Sequence, residues 1–518
     1  MSTASNLFLN SLFPIHYSLF AWERSMPWRC LVSAGVALIT TAACAVAAAE
    51  PWALDLPCGQ RQLFLDDYCI ASVDGLARTM HEPVKKGAVI VPEAPWETSL
   101  QTRSAPAWDA AEERYKLWLI TSTPETDVAG ATYVESEDGI HWTRPILGQY
   151  AFRGSRENNF IALDPASQWP ENAIENVVCD ADDPDAARRY KGFLGCYGRQ
   201  PMVSPDGIHW QLLDCPPIPS QDESNLSYDP VTRTFMATLK QTGPYGRAHG
   251  LSTSKDFEHW AEPRLFFHAD AEDQEQCRER IQERLADAEL QQPLFNNPAD
   301  YNADIYNVGL FRYEGLYVAL PAVFHCTGKS PTGDTDGFHL IQLACSRDLR
   351  TWDRLGDRRA FIGPSAVGHG AFDTTQLLPP SAPVAHGDEL WFYYTGIKYR
   401  IKPPDADPAS GAICLAILRR DGFVSLDAGQ ETGVMITKPL VVHWTSLSVN
   451  VDASEGALEA AVLDDAGKVL AVSESIAGDW PDIQVRWKQG GMAGLEQQRV
   501  RMRLTLRNAK LYSFWLDK

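Results

Sequence analysis

Short apolar runs that end at a serine, pass through a polar turn and resume at an aromatic residue recur along the chain. The clearest copies are Ser136-Glu137-Asp138-Gly139-Ile140-His141-Trp142 and Ser204-Pro205-Asp206-Gly207-Ile208-His209-Trp210. Looser copies begin at Ser254 and Ser346, and a shortened copy is Arg420-Asp421-Gly422-Phe423. Asp-Gly supplies the positive φ that tight hairpin turns need. The five copies therefore predict five related β units.

Two further β-like runs precede the turn in each unit, as at residues 105–109 and 115–121. Three strands and the one after the turn make a four-stranded blade, and radial repetition of five blades makes a five-bladed β-propeller. A β-sandwich with similar hairpins is the alternative. His141 and His209 are interpreted as parts of the structural turn. The expected blades span residues 101–145, 157–213, 221–263, 300–355 and 367–426.

The remaining segments complete an all-β fold class. Residues 50–99 are predicted to form an N-terminal strap that leads into the first blade of a propeller at 100–428. Residues 271–291, rich in Glu, Gln, Arg and Ala, predict a helical insertion. Evenly spaced β runs after residue 432 predict a C-terminal β-sandwich at 429–518. Packing against the propeller is its expected role, with carbohydrate binding as the alternative.

The N-terminus reads as a secretory signal peptide at residues 1–49. An apolar run at 31–43 follows Arg24 and Arg29 and precedes three alanines. The run is too short for a membrane span. The expected location is therefore secreted or periplasmic, and lipid attachment at Cys44 is an alternative.

Composition narrows the class of function. With 518 residues and 45% hydrophobic content, the chain is globular and long enough for two or three domains. The formal net charge of -21 argues against nucleic acid and anionic membranes as partners. The eleven cysteines form no CxxC pair, so no zinc site is predicted. No cofactor is expected, although a structural calcium in the channel stays open.

Carboxylates precede the expected innermost strands of four units. In a propeller, the same ends of these strands converge on one channel, so side chains there meet in one pocket. The first unit has Arg103 at this place. The carboxylates are Glu175, Asp222, Glu223, Asp304 and Asp373.

Crowded carboxylates raise the pKa of at least one group, leaving an acid beside an ionised partner. This pair is what cleavage of a glycosidic bond needs, with about 5–5.5 Å between carboxyls for retention and about 6.5–9.5 Å for inversion. The sequence leaves both outcomes open, and each carboxylate has a structural hydrogen-bonding role as its alternative. The predicted substrate-binding residues are Arg103, Asn225, Arg247, His249, Tyr306 and His325.

Several segments resemble the five-bladed propeller glycoside hydrolases of families 32, 43, 62 and 68. The matching segments are the Asp-Gly-Ile-His-Trp repeats and residues 63–68, 92–97, 182–191 and 387–394. The resemblance implies an Asp of the first blade as nucleophile or base, an Asp of the second as stabiliser and a Glu of the third as acid. Glu223 matches that acid. The first unit has no acid at its strand start, so Asp304 or Asp373 would supply the second carboxylate.

These observations together predict a secreted glycoside hydrolase acting on poly- or oligosaccharides. One alternative is a non-catalytic carbohydrate-binding propeller. Another is a glycoside phosphorylase, which would need Arg, Lys and His around phosphate beside a single acid. A scaffold or adhesion protein is the third. The sugar, the linkage and the oligomeric state stay open.

Overall fold

The structure is a computed structural model that describes residues 52–124, 130–163, 174–195 and 197–518, without the side chain of Glu175. The expected signal peptide therefore lies outside the described residues. The described chain is nearly all β, which confirms the all-β part of the predicted fold class. Its one described α-helix, α1 (Ala271–Ala286), begins in the predicted helical insertion.

The first strands of the chain belong to the N-terminal segment and to two of the repeated units. The N-terminal segment holds β1 (Gln62–Leu63), β2 (Ile70–Asp74), β3 (Ala77–Met80) and β4 (Val84–Ile90). Unit one (residues 99–143) holds β5 (Ser99–Gln101), β6 (Ala107–Asp109), β7 (Arg114–Ser122) and β8 (Gly130–Ser136). Unit two (174–219) holds β9 (Ile174–Cys179), β10 (Tyr190–Leu194), β11 (Gly198–Ser204), β12 (Gln211–Leu212) and β13 (Ile218–Pro219).

Unit three (220–267) holds β14 (Ser224–Asp229), β15 (Thr234–Gly243), β16 (Gly246–Ser254) and β17 (Arg264–Phe267). Unit four (302–362) holds β18 (Asn302–Tyr313), β19 (Leu316–Lys329), β20 (Thr335–Ile341), β21 (Ala344–Ser346) and β22 (Asp353–Arg354). Unit five (373–423) holds β23 (Gln376–Leu378), β24 (Val384–His386), β25 (Glu389–Ile397) and β26 (Gly411–Arg419).

The C-terminal strands are β27 (Val424–Ala428), β28 (Gly433–Thr437), β29 (Leu440–Val441), β30 (Ser446–Leu463), β31 (Val469–Ser473), β32 (Ile476–Gln484), β33 (Trp487–Gln489), β34 (Arg499–Arg507) and β35 (Ala509–Asp517). Short 3-10 helices lie at Ala186–Arg188, Pro298–Asp300 and Gly356–Arg358.

The strands within each unit pair antiparallel through successive hairpins, and units one and five share one sheet through a parallel pairing of Ser99 in β5 with Gly411 in β26. Unit three runs β14-β15-β16-β17, and units two and four follow the same order with one added strand each. In unit five, β26 pairs with β25 and with β4 of the N-terminal segment. The N-terminal segment therefore does more than lead into unit one, because its fourth strand completes the last unit.

The repeated turn is a local hydrogen-bonded structure. Ser204 Oγ accepts from the Gly207 amide, and Asp206 Oδ1 accepts from the amides of Ile208 and His209. The His209 ring lies 2.7 Å from the second oxygen of Asp206. The other three full-length copies make the same amide contacts. His209 and its counterpart His141 are thus turn residues, as predicted.

The turn also packs each unit against its predecessor. The Gly207 carbonyl of unit two accepts a 2.6 Å hydrogen bond from the Trp118 indole of unit one. The Gly139 carbonyl of unit one accepts a 2.9 Å bond from the Tyr393 hydroxyl of unit five. A Cβ on Gly207 would lie 2.5 Å from the Trp118 ring, so glycine makes this close approach possible.

The five units are joined one to the next by polar contacts. The Val177 amide of unit two donates to Ser104 Oγ of unit one at 2.8 Å, and Asn176 donates to Ser224 of unit three at 2.7 Å. Unit three reaches unit four where Asn307 donates to the Ser224 carbonyl at 3.3 Å, and unit four reaches unit five where the His339 amide donates to the Thr375 carbonyl at 2.8 Å. Unit five returns to unit one where Ser381 accepts from the Ala105 amide. These contacts bring the units side by side in chain order.

The C-terminal strands form a curled sheet around the long strand β30. Its first half pairs with β32 and β35, and its second half pairs with β31 and β34. The sheet also takes in β1, β2 and β3 from the N-terminal segment, and β27 from before residue 429. Strand pairing thus crosses the boundaries expected at residues 99 and 428, and the domain limits stay predictions.

Candidate functional site

Arg103 and Glu223 form the central ion pair at the meeting point of the first strands. Two guanidinium nitrogens of Arg103 donate to the two carboxylate oxygens of Glu223, each at 2.7 Å. Asn307 of unit four donates a third bond to Glu223 at 2.8 Å. Burial would raise the pKa of Glu223, but the charge and hydrogen bonds of Arg103 outweigh it and lower the pKa to about 2. Glu223 is therefore an ionised carboxylate, which suits charge stabilisation better than proton donation.

Lys240 on β15 lies beside this pair and was not predicted from the sequence. Its ammonium group donates to Asp222 at 2.7 Å and lies 3.9 Å from the centre of the Tyr306 ring. The Lys240 side chain is only 2% exposed, whereas Asp222 is 48% exposed. Asp222 is thus held at the solvent edge, and Glu223, its neighbour in sequence, points into the protein.

Asp304 is the buried carboxyl group of this region with an environment suited to an acid. Arg247 Nε lies 3.0 and 2.9 Å from its two oxygens. Burial raises the pKa of Asp304, and the charges of Arg247 and Lys240 offset this only in part. Lys240 also lowers the pKa of Glu223, so one cation acts on both carboxyl groups.

A group of cations surrounds the aromatic rings of Tyr306 and Phe324. Arg247 lies 4.9 Å from the centre of the Tyr306 ring and 4.6 Å from that of Phe324. Arg400, from the loop after β25, lies 5.4 Å from both. Cations over aromatic faces are attracted by the ring quadrupole. We call Lys240, Arg247, Arg400, Tyr306 and Phe324 the cationic cluster.

Arg400 brings a charge that the described side chains around it do not neutralise. Its hydrogen bonds go to the neutral groups of Gln376 at 3.3 Å and Thr335 at 3.5 Å. Its Nε is buried without a partner among the described residues, as are both ring nitrogens of His339, whose ring centre lies 4.7 Å from that of Tyr306. Burial holds the pKa of His339 well below its usual range, so this ring is neutral. The positive charge of Arg400 would suit an anion, and the unpartnered nitrogens of Arg400 and His339 would suit hydroxyl groups.

The two predicted histidines occupy different places. His249 Nε2 donates to the main-chain carbonyl of Tyr306 at 3.1 Å, and burial lowers the pKa of its ring to about 4. His249 is therefore a neutral ring that contacts the main chain of Tyr306. His325 stacks on Phe338, and its Nε2 lies 3.4 Å from Arg280 of α1. The His325 side chain is thus in contact with the helix.

Asp373 belongs to a separate polar group. Its carboxylate accepts from Lys85 of β4 at 2.8 Å, from Ser365 at 3.0 Å and from Tyr394 at 2.7 Å. These contacts join the N-terminal segment to unit five, and none of them reaches Asp304 or Glu223. Glu175 lies in β9, but its side chain is outside the described structure.

Of the predicted residues, the structure brings together Arg103, Asp222, Glu223, Asn225, Arg247, His249, Asp304 and Tyr306 through direct contacts or shared partners. Asn225 donates to Asn307 at 3.4 Å, which links it to Glu223. Sequence reasoning missed Lys240, His339, Arg400 and Asn307. The one available signal was the position of Lys240 directly after the apolar run 235–239. A lysine that continues a buried strand needs a charged or polar partner, and this would have marked Lys240 as a candidate site residue.

Two kinds of feature bear on function in the part of the chain that the structure describes: clusters of metal-ligating side chains and membrane-spanning helices. No group of three or more His, Cys, Asp or Glu side chains there has the arrangement of a metal site. No helix in the described ranges is long and apolar enough to cross a membrane.

Comparison with known proteins gives structural similarities only. No protein-family model matches the chain, and no curated protein is similar to it in sequence. A solved structure described as a glycoside hydrolase is 12% identical, with 65% of this chain and 92% of that chain covered and a TM-score of 0.43. A family 43 arabinoxylan arabinofuranohydrolase from Bacillus subtilis is 10% identical, with 83% and 99% covered and a TM-score of 0.37. A family 32 β-fructofuranosidase from Bombyx mori is 9% identical, with 85% and 94% covered and a TM-score of 0.39. All three carry the description of the enzyme class that the sequence motifs resemble.

Proposed function

We propose that the five units form a five-bladed β-propeller with a C-terminal β-sandwich, and that the chain is a secreted enzyme that cleaves glycosidic bonds at the cationic cluster. The closed series of contacts from unit one through unit five and back to unit one supports the ring. The two halves of β30, which pair with different strands, support a sandwich. The observation that carries the enzymatic proposal is the buried carboxyl of Asp304 with its raised pKa.

Asp304 would act as the proton donor to the glycosidic oxygen. A group with a raised pKa holds its proton at higher pH than an ordinary carboxyl and is therefore a better acid near neutrality. Its contact with Arg247 fixes the direction of the carboxyl group. After transfer of the proton, Arg247 would stabilise the carboxylate that remains.

Asp222 would activate the attacking water. It is the more exposed of the two adjacent acidic residues, and Lys240 holds it at a fixed position. Glu223 has both oxygens in hydrogen bonds with Arg103 and Asn307, so its charge would stabilise the developing oxocarbenium ion instead. This assignment moves the acid from Glu223, as the resemblance implied, to Asp304.

Phosphorolysis is the second candidate, and the cationic cluster favours it. Lys240, Arg247 and Arg400 stand beside Asp304, the one buried carboxyl group of this region with a raised pKa, which is the arrangement that such a reaction needs. A phosphate oxygen would form the bond to the anomeric carbon while the glycosidic bond breaks, and the proton of Asp304 would go to the leaving oxygen. Arg400 offers the charge that no described carboxylate neutralises.

The test is a screen of the purified chain on a panel of oligosaccharides, with and without inorganic phosphate. Hydrolysis without phosphate supports the first candidate, and release of a sugar 1-phosphate only when phosphate is present supports the second. Asp304→Asn should lower kcat/KM by about 10²–10⁴ in either case. Asp66→Asn is the matched control, because Asp66 is also paired with an arginine, Arg347, at 2.7 Å, but lies in the N-terminal segment. Sugar binding without turnover by the parent would overturn both candidates.

A further inference from the structure

The C-terminal sheet carries an open groove that the proposed chemistry does not use. The groove has a volume of about 560 Å³ and runs along β32. Its lining combines apolar and polar side chains, with Ile476, Trp480, Ile483, Asp482, Gln484 and Arg486 among them. Such a mixture is typical of ligand sites, in which apolar surface gives contact area and a few polar groups fix orientation.

Trp480 is an exposed aromatic side chain in a fixed position. The residue is 44% exposed, and its indole nitrogen donates to the Ala477 carbonyl at 2.8 Å. Gly478 has a φ of 97°, and a Cβ there would lie 2.9 Å from the indole nitrogen. The glycine therefore leaves room for the indole to lie against the backbone. A ring held in this way loses little side-chain entropy when a ligand covers it.

The strand beneath the groove is anchored on both sides of Trp480. Asp479 accepts from Arg419 of unit five at 2.6 Å. Arg61 donates to the Pro481 carbonyl and to Asp482, both at 3.2 Å. Arg61 itself is buried against the Trp515 ring. The groove is thus a preformed surface.

The polar rim indicates the charge of the ligand. Glu474 and Asp482 line the groove together with Arg486, and the Arg61 that bonds to Asp482 is also paired with the buried Asp421, so acidic groups still outnumber basic ones. An anionic ligand would meet net repulsion, whereas hydroxyl groups can donate to the carboxylates and both donate to and accept from Gln484. The C–H groups on one face of a pyranose ring suit the electron-rich face of an indole. The fitting ligand class is therefore a neutral glycan.

We propose that the Trp480 groove is a second carbohydrate-binding site, which holds neutral polysaccharide by stacking a pyranose ring on Trp480. The site lies on the C-terminal sheet, whereas the cationic cluster lies on units three to five. It would keep the enzyme on a polymer while chain ends or branches reach the other site. Binding at the groove does not depend on which reaction the cationic cluster carries out.

The experiment measures binding by the full chain in the Asp304→Asn background, so that turnover does not remove the ligand. Depletion onto insoluble cellulose, xylan, mannan and chitin, followed by titration calorimetry with soluble oligomers, gives the affinity. Trp480→Ala should weaken binding about tenfold or more, because it removes both the stacking contact and the apolar area that the indole buries on the ligand. Trp52→Ala, which removes a tryptophan that is 53% exposed elsewhere, should leave the affinity unchanged.

Gln484→Ala is a second test that keeps the indole in place, and it should weaken binding about threefold, as expected for one lost hydrogen bond. Thermal denaturation checks that each variant is folded. The proposal is overturned if the parent binds none of the four polymers, if Trp480→Ala binds as well as Trp52→Ala, or if polygalacturonate binds more tightly than the neutral polymers. A concentration-dependent dimer that Trp480→Ala abolishes would likewise overturn it, because the groove would then be an interface between copies.

Discussion

Arg103 of unit one and Glu223 of unit three are joined by two parallel 2.7 Å hydrogen bonds across the meeting point of the first strands. Such a bidentate pair is both strong and directional. Arg103 stands at the strand start of unit one, where the family resemblance implies an acid. This cation lowers the pKa of Glu223, so that Glu223 is a carboxylate and not a proton donor.

The first prediction concerns stability in acid. The pKa of Glu223 is about 2 in the folded chain, against an ordinary value of 4.5. Its contribution to stability is therefore present above pH 4.5 and is lost as the pH falls toward 2, by about 3 kcal/mol in total. Glu223→Gln should flatten this loss in urea denaturation between pH 5 and 3. Glu157→Gln, at an exposed site, is the control, and an equal acid slope in both variants would contradict the prediction.

The second prediction concerns the pH dependence of turnover. Asp304 must be protonated to act as an acid, so activity should fall as the pH rises through its raised pKa. Arg247→Gln removes a positive charge that lowers this pKa. The alkaline limb of the kcat profile should therefore move up by about 1 pH unit. A limb that stays in place, or moves down, would show that Asp304 does not govern it.

The third prediction concerns the packing of one unit on the next. Gly207→Ala should cost about 3 kcal/mol, because a methyl group meets the Trp118 ring at a φ of 82°. Gly387→Ala also has a positive φ, at 59°, but meets no atom within 4 Å, and it should cost about 1 kcal/mol. Chemical denaturation measures both. Equal losses of unfolding free energy in Gly207→Ala and Gly387→Ala would show that the contact with Trp118 does not restrict residue 207.

The fourth prediction concerns the attachment of the N-terminal segment. Lys85→Met leaves the carboxylate of Asp373 buried without its cation and should cost about 2 kcal/mol. Asp373→Asn should cost less in that background than in the parent, since the two groups are coupled. Lys86→Met, at the exposed neighbouring position, controls for the change to methionine. Additive costs for Lys85→Met and Asp373→Asn would exclude the coupling.

What could be predicted from the sequence was local. The turns at Asp138 and Asp206 were predictable because the hydrogen bonds of these two side chains join residues two or three positions apart. The shortened copy, residues 420–423, departs from the predicted turn. Its positive φ falls on Asp421 and not on Gly422, the residue that the Asp-Gly pattern predicts. Asp421 instead accepts from Arg61 at 2.7 Å, a partner 360 positions away.

The sequence indicated where the candidate site lies, but it did not indicate which carboxyl groups there are paired with cations. Strand starts indicated that Glu223 and Asp304 belong to one region, and they share the influence of Lys240. Which carboxyl group carries a cation depends on side chains from other units, as Arg103 shows for Glu223 and Lys85 for Asp373. Pairing over such sequence distances leaves no periodic signal in the chain.

The pairing of β4 with β26 has a consequence for biosynthesis. Residues 84–90 of β4 leave the ribosome long before residues 411–419 of β26. Strand β4 therefore stays unpaired on this side until the intervening units have been synthesised. Until then β4 presents an unsatisfied edge, and the nascent chain offers a site where chaperones or stray strands can bind. The pairing of β4 with β26 is thus a late step of synthesis, and a chain that stops before residue 411 lacks the partner of β4.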